Sequence, residues 1–244
     1  MGGSAPPVEA VIFDWGGTLT PWHTVDVAAQ WHAYAARVHV EDEAARVDLA
    51  RRILAAEDVA WQRIRGDGSS TRMDQILREV GVDLDHVSHE AALAAYRQFW
   101  EPHTFTDPQV QPLWERLRDR GVRVGVLSNT IWPADYHRGV FERDGVLHLI
   151  DADVYSSEIP WAKPHPEAFR EAARTLGVRP EAAVYVGDRP FEDVHGAQRA
   201  GMRAIWVPHS DIPEAQQVRV DVEPDAVAHE LLDVLDIVAA WAAS

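Results

Sequence analysis

Asp14 ends a short apolar run, Ala10-Val11-Ile12-Phe13, and is followed at once by Trp15-Gly16-Gly17-Thr18. β-Branched and aromatic residues closing on one carboxylate, then two glycines, predict a buried strand that delivers Asp14 into a tight loop. At the C-terminal end of a parallel strand that carboxylate faces the crevice where open α/β sheets take their ligands, and the glycines leave backbone N–H groups free to approach an anion. The chemistry such a loop suits is nucleophilic attack by Asp14. Three later stretches extend the pattern. Val122 to Leu127 reads as a second strand, ending on Ser128-Asn129-Thr130. Lys163, the only lysine in the chain, stands in Trp161-Ala162-Lys163-Pro164-His165-Pro166 before a helix. Ala183 to Val186 is another strand and runs into Gly187-Asp188 and then Glu192-Asp193. Singly, each residue has an ordinary structural role: Ser128 a cap, Lys163 a surface charge, Asp188 and Asp193 an N-cap and a first-turn acid. Their joint occurrence in this order, all but the lysine at strand ends, is what points to a site.

Taken together, the four motifs resemble the haloacid dehalogenase-like (HAD) superfamily over Asp14 to Asp193. The resemblance implies a Mg²⁺-dependent hydrolase, a phosphatase of a small phosphorylated metabolite, with Asp14 forming an aspartyl-phosphate. Mg²⁺ would be shared by Asp14, Asp188 and the backbone carbonyl of Gly16, oxygen ligands that suit a hard cation. Ser128 and the N–H of Asn129 would hold the phosphoryl oxygens, with Gly17 on the substrate side, and Lys163 would neutralise their charge. Asp193 would orient Lys163 and the waters of the metal, and Glu192 fits the subset of the family with two consecutive acids.

The departure is Gly16, where most phosphatases of the family carry a second Asp as general acid and base. Such catalysis is worth ~10²–10⁴-fold. Three explanations stand side by side. The chemistry differs: a metal-independent 2-haloacid dehalogenase also lacks that Asp, as does a phosphonoacetaldehyde hydrolase, which needs a cap lysine that residues 21–107 do not contain. Alternatively the cap supplies the proton, and His23, whose unperturbed pKa near ~6.5 is suitable, is the nearest titratable group. Or the chain is a non-catalytic ligand-binding relative with a vestigial site.

These residues need a frame to hold them. From Thr20 to about Pro108 the pattern is helical: Val25 to Val38, Glu41 to Arg65, a short helix capped by Ser70 or Thr71 and running to Val80, and Ser88 to Trp100. In the family an insertion there is a helical cap, and its aromatics, Trp22, Trp31, Trp61, Tyr96, Phe99 and Trp100, are expected to pack its helices. Arg65 and Arg72 flank the Gly66 to Ser70 turn and are candidates to meet an anionic substrate tail, beside the ordinary role of solvated helix-end charges. Beyond Asp107 helices and strands alternate: helix to Arg120, helix near Ala134 to Arg143, strand near Asp153 to Tyr155, helix Pro166 to Leu176, helix Phe191 to Ala200, strand Arg203 to Val207, and a last helix from about Asp225 to Ala240. The expected architecture is an α/β doubly wound parallel sheet, a Rossmann-like core of residues 8–20 and 108–244, with an α-helical cap of residues 21–107.

Composition narrows the function classes. With no cysteine there are neither disulfides nor thiolate metal sites. A net charge of −16 argues against nucleic acid, and it means that an anionic substrate must be held by a local cation or metal. No apolar run approaches the ~18 residues of a membrane span. The expectation is a cytoplasmic monomer or homodimer with no nucleic-acid or membrane partner.

Overall fold

The computed structural model describes residues 6–21, 25–208 and 217–242. The chain opens with strand β1 (Ala10–Phe13) and passes into four helices, α1 (Val27–Val38), α2 (Glu43–Asp67), α3 (Met73–Glu79) and α4 (His89–Trp100). It then alternates through α5 (Val110–Asp119), β2 (Arg123–Ser128), α6 (Ala134–Arg143), β3 (Ala152–Tyr155), α7 (Pro166–Leu176), β4 (Ala183–Gly187), α8 (Gly196–Ala200), β5 (Arg203–Trp206), β6 (Ala226–Val227) and α9 (Asp233–Ala242).

The six strands form one parallel sheet in the order β3-β2-β1-β4-β5-β6. Because side chains alternate across a strand, Val11, Phe13, Val124, Val126, Val184 and Val186 build a core on one face with α5, α6 and α9. Ala10, Ile12, Tyr185 and Ala204 build the other core with α7 and α8. On that second face Gly125 admits the approach of α7, since a Cβ there would stand 2.6 Å from Leu176 Cδ1. The chain leaves β1 toward β2 and β3 and returns on the other side through β4, so the strand order reverses between β1 and β4. That is where a doubly wound α/β fold opens its ligand crevice.

The four helices between β1 and α5 have their own apolar cluster, with Trp31, Tyr34, Ile53 and Tyr96 fully enclosed. The cluster reaches the sheet through Ile131 and Trp132, just after β2, and through Trp15. Main-chain bonds fasten the two layers: Met73 N–H donates to Ile131 O at 2.9 Å, and Ala162 N–H to Gly68 O at 2.8 Å. Among the described residues no helix is long and apolar enough to cross a membrane.

Three local expectations are corrected. The residue before α3 is Arg72, not Ser70 or Thr71, and its backbone N–H is taken by the Gln75 side chain at 3.1 Å. The helix expected from Phe191 starts as a wide π turn over Pro190–His195 before tightening into α8. The last helix begins at Asp233 rather than Asp225, because residues 225–228 pair with the free edge of β5: Asp225 N–H donates to Ala204 O and Ala228 N–H to Trp206 O, each at 2.9 Å.

Candidate active site

At the C-terminal edge of the sheet, β1 ends on Asp14 and β4 on Gly187-Asp188, while Lys163 arrives on the segment before α7. The residue is almost wholly enclosed, 2 % exposed, and its ammonium uses its three hydrogens on three partners. They are Asp14 Oδ1 at 2.7 Å, Asp193 Oδ1 at 2.7 Å and the Tyr185 hydroxyl at 2.8 Å. Burial works against the charged ammonium, but Asp14 and Asp193 outweigh it and hold the Lys163 pKa above its ordinary value. Burial raises the Asp14 carboxyl, with Lys163 pulling the other way.

Asp188 accepts from the Thr18 hydroxyl at 3.2 Å, and its carbonyl accepts from the Trp206 indole N–H at 2.9 Å. Asp193 reaches back from the π turn: its second oxygen accepts the Arg189 N–H at 2.9 Å, closing the turn on itself. One oxygen each of Asp14, Asp188 and Asp193 lies within 4.8 Å of the others. Three buried carboxylates are thus gathered about one point beside the Lys163 ammonium, and like charges crowded in a buried site favour a bound cation. This donor set, hard carboxylate oxygens around one point, fits a divalent cation such as Mg²⁺. Glu192 is also buried, and its desolvation pushes its carboxyl pKa up.

The residues expected from sequence separate into those brought together and those placed elsewhere. Asp14, Lys163, Asp188 and Asp193 converge. Ser128 is buried at the end of β2, beside β1. Asn129 grips the lysine segment with its side chain, donating to Lys163 O and accepting from Lys163 N–H, both at 2.8 Å. Gly16 has open space where a Cβ would stand and no positive φ. Gly17 differs from expectation: its N–H, which was to be free for an anion, donates to Thr20 O at 3.0 Å. Glycine is needed there for another reason, a φ of +87° and a would-be Cβ 2.5 Å from Asp188 Oδ2. His23 lies outside the described residues. Arg72, a candidate for an anionic substrate tail, pairs with Asp74 at 3.2 Å.

Sequence reasoning passed over Tyr185, Thr18 and Trp206. A tyrosine in a fully buried aliphatic strand was the available signal, because a buried phenol needs a hydrogen-bond partner.

Known proteins resemble this chain in sequence and fold. A family model described as haloacid dehalogenase-like hydrolase matches residues 8–201. A glyceraldehyde 3-phosphate phosphatase of Methanopyrus kandleri is 31% identical over 95% of this chain and 97% of its own. A phosphonoacetaldehyde hydrolase of Nitratidesulfovibrio vulgaris is 28% identical over 91% of this chain and 80% of its own. Among solved structures, a 2-haloacid dehalogenase from Pseudomonas syringae pv. Tomato superposes with a TM-score of 0.63 at 26% identity, covering 96% of this chain and 99% of that one. The family match runs from the first strand past Asp193, the last of the converging acids, and the chain accordingly belongs to the haloacid dehalogenase-like hydrolases.

Proposed function

We propose that this chain is a Mg²⁺-dependent phosphatase of a small phosphorylated metabolite, working through an aspartyl-phosphate on Asp14. The observation that carries the reading is the convergence of three buried carboxylates, Asp14, Asp188 and Asp193, about one point next to the Lys163 ammonium, a donor set that suits a dication. A metal-independent dehalogenase has no need of such a carboxylate cluster. The similarity to a phosphatase over nearly the whole chain supports the same reading and makes glyceraldehyde 3-phosphate the first substrate to try. The phosphonoacetaldehyde hydrolase reading lacks the lysine it needs, since Lys163 is the chain's only one and is already held by two acids.

Asp14, Asp188 and the Gly16 carbonyl would hold Mg²⁺, which when bound neutralises phosphoryl charge and fixes the phosphoryl group's direction. An Asp14 carboxylate oxygen attacks phosphorus, the ester P–O bond breaks, and the leaving oxygen takes a proton from solvent or a nearby group. Water then cleaves the aspartyl-phosphate, releasing inorganic phosphate and restoring the Asp14 carboxylate. Lys163 holds negative charge on the transferring oxygens, and Ser128 and the Asn129 N–H bind them. With Gly16 in place of the second acid, the leaving oxygen departs with little help.

A panel of phosphorylated metabolites assayed with Mg²⁺, beside 2-haloacids in excess EDTA, tests the reading. Phosphate release that needs the metal and disappears in Asp14→Asn is expected. Full turnover of a 2-haloacid under EDTA would replace the phosphatase by the dehalogenase. Absence of turnover on both arms, with ligand affinity unchanged in Asp14→Asn, would leave a binding protein.

A further inference from the structure

Tyr185 stands in the middle of β4 with its ring enclosed against Phe169, centroids 4.9 Å apart. Its hydroxyl donates to Leu127 O at 2.8 Å, the carbonyl directly before Ser128. A phenol has one hydrogen, and with that hydrogen spent on Leu127 its oxygen faces Lys163 only as an acceptor, at 2.8 Å. Asp193 also lies beside the hydroxyl, but its two oxygens already accept from Lys163 and from the Arg189 N–H. Burial and the surrounding acids keep the phenol protonated, so it adds no charge to the cluster.

We infer that Tyr185 is a positioning residue that makes Lys163 a directed donor. An ammonium has three hydrogens, and all three are committed. During phosphoryl transfer an Asp14 oxygen becomes the attacking atom, so the hydrogen held by Asp14 is the one handed to the incoming phosphoryl oxygen. Asp193 and Tyr185 keep the other two and stop the ammonium from swinging away. Of these two anchors only Tyr185 is neutral, and only Tyr185 ties the lysine to the strand that ends on Ser128. Thus one hydroxyl joins the second, third and fourth motifs, and it does so from a position with no catalytic atom of its own. The placement of the ammonium stands on this geometry alone; the consequence for turnover rests on the phosphatase reading above.

The test uses the fact that the chain has a single lysine. Full-length protein labelled with ¹⁵Nζ-lysine gives one side-chain amine environment, and a buried ammonium with three bonds should show a slowly exchanging NζH₃⁺ signal in the metal-free wild type at neutral pH. Tyr185→Phe, which keeps the ring against Phe169, should speed that exchange at least tenfold and broaden the signal. On the substrate found by the metabolite panel, the same variant should lower kcat by roughly 10–10²-fold with KM little changed, the scale expected of a slightly misdirected group. A lower melting temperature with unchanged exchange and unchanged kcat would make Tyr185 structural only and overturn the proposal. So would a wild type whose lysine hydrogens already exchange too fast to be seen, a measurement that needs no variant to fold. A wild type that hydrolyses no phosphate ester defeats the phosphatase reading, and the exchange contrast then decides for or against Tyr185 by itself.

Discussion

The C-terminal edge of the sheet and the four-helix insert above it are both densely packed, but by opposite means. In the insert, Trp31, Tyr34, Ile53 and Tyr96 are enclosed by one another, and the Trp31–Tyr96 ring centroids are 4.6 Å apart. Glu57, a half-buried carboxylate of the insert, is held by neutral donors, Trp31 Nε1 at 2.6 Å and Gln30 Nε2 at 3.2 Å, and desolvation raises its pKa. At the sheet edge, Lys163 is buried together with Asp14, Asp188, Glu192 and Asp193, and every hydrogen of the ammonium is spent. Apolar packing is proportional to area and tolerates substitution of like for like. A buried ion cluster is costly to assemble and fails when any one member is lost. The insert can therefore change its side chains with little penalty, whereas the sheet edge has little freedom.

The largest effect expected from that difference is at Lys163. Lys163→Met removes the cation between Asp14 and Asp193 and leaves buried carboxylates facing each other, a loss of about 3–5 kcal/mol in addition to the near-complete loss of phosphate release. Denaturant titrations of wild type and variant, with and without Mg²⁺, measure it. The deficit should be larger in EDTA, because a dication partly substitutes for the missing ammonium. A variant of wild-type stability in EDTA would mean that the edge is not an ion cluster in the sense argued above.

Gly16 is the exception at that edge, a position with freedom to spare. It has no positive φ and nothing within 4 Å of a would-be Cβ, so the backbone accepts a side chain there. If the site lacks a general acid, Gly16→Asp should raise the hydrolysis of alkyl phosphates by up to ~10²–10⁴-fold, with much less gain on aryl esters, whose leaving groups depart unprotonated. The ratio of kcat/KM between the two ester classes is the readout. An equal change on both would show that protonation of the leaving oxygen is not what the site is missing.

In the insert the expected outcome is of another kind. Ile53→Ala empties a fully buried position and should cost about 2–5 kcal/mol, read by urea denaturation. The increment that Mg²⁺ adds to stability should stay as in the wild type, since none of the acids is touched. Loss of that increment would tie the two regions together more closely than their separate clusters suggest.

Much of this was legible before any coordinates, for identifiable reasons. β1, β2 and β4 are continuous apolar runs that stop on Asp14, Ser128 and Gly187-Asp188, and a central parallel strand buried on both faces leaves that mark. The helices of the insert follow from apolar spacing, while their caps, Asp26 and Asp42, are seen only in the structure. What stayed hidden depends on partners distant in sequence. Residues 225–228 look helical until the open edge of β5 claims their N–H groups. Asn129 is adjacent to Ser128, but its side-chain partner is the backbone of Lys163. Gly17 looked like an anion-binding glycine and is instead the gap into which Asp188 fits. No local pattern shows that the Tyr185 hydroxyl faces an ammonium brought in from the segment before α7.

The smallest expected effect concerns the seam between the two regions, where His137 on α6 is fully enclosed. Its ring stacks on Tyr155 at 4.5 Å and meets Trp15, the neighbour of Asp14, edge-on at 4.6 Å. Nε2 bonds the Thr130 hydroxyl at 3.0 Å, and the same hydroxyl receives the N–H of Trp132, so the imidazole braces the loop that carries Ser128 and Asn129 into contact with the insert. Burial pushes its pKa down to about 3, from 6.5 in an unfolded chain, so the folded protein keeps the ring neutral. Between those values the unfolded chain binds one more proton than the folded one, and stability must fall as the pH falls. The contribution is complete above about pH 6.5 and declines by about 1.4 kcal/mol per pH unit below it. Other carboxylates titrate in the same range, so the informative quantity is the difference between wild type and His137→Phe. Measured by denaturation at pH 7 and pH 5, that variant should lose less stability on acidification than the wild type. Parallel losses would mean that His137 can be protonated in the folded protein, and that the seam admits water where the packing of the two regions excludes it.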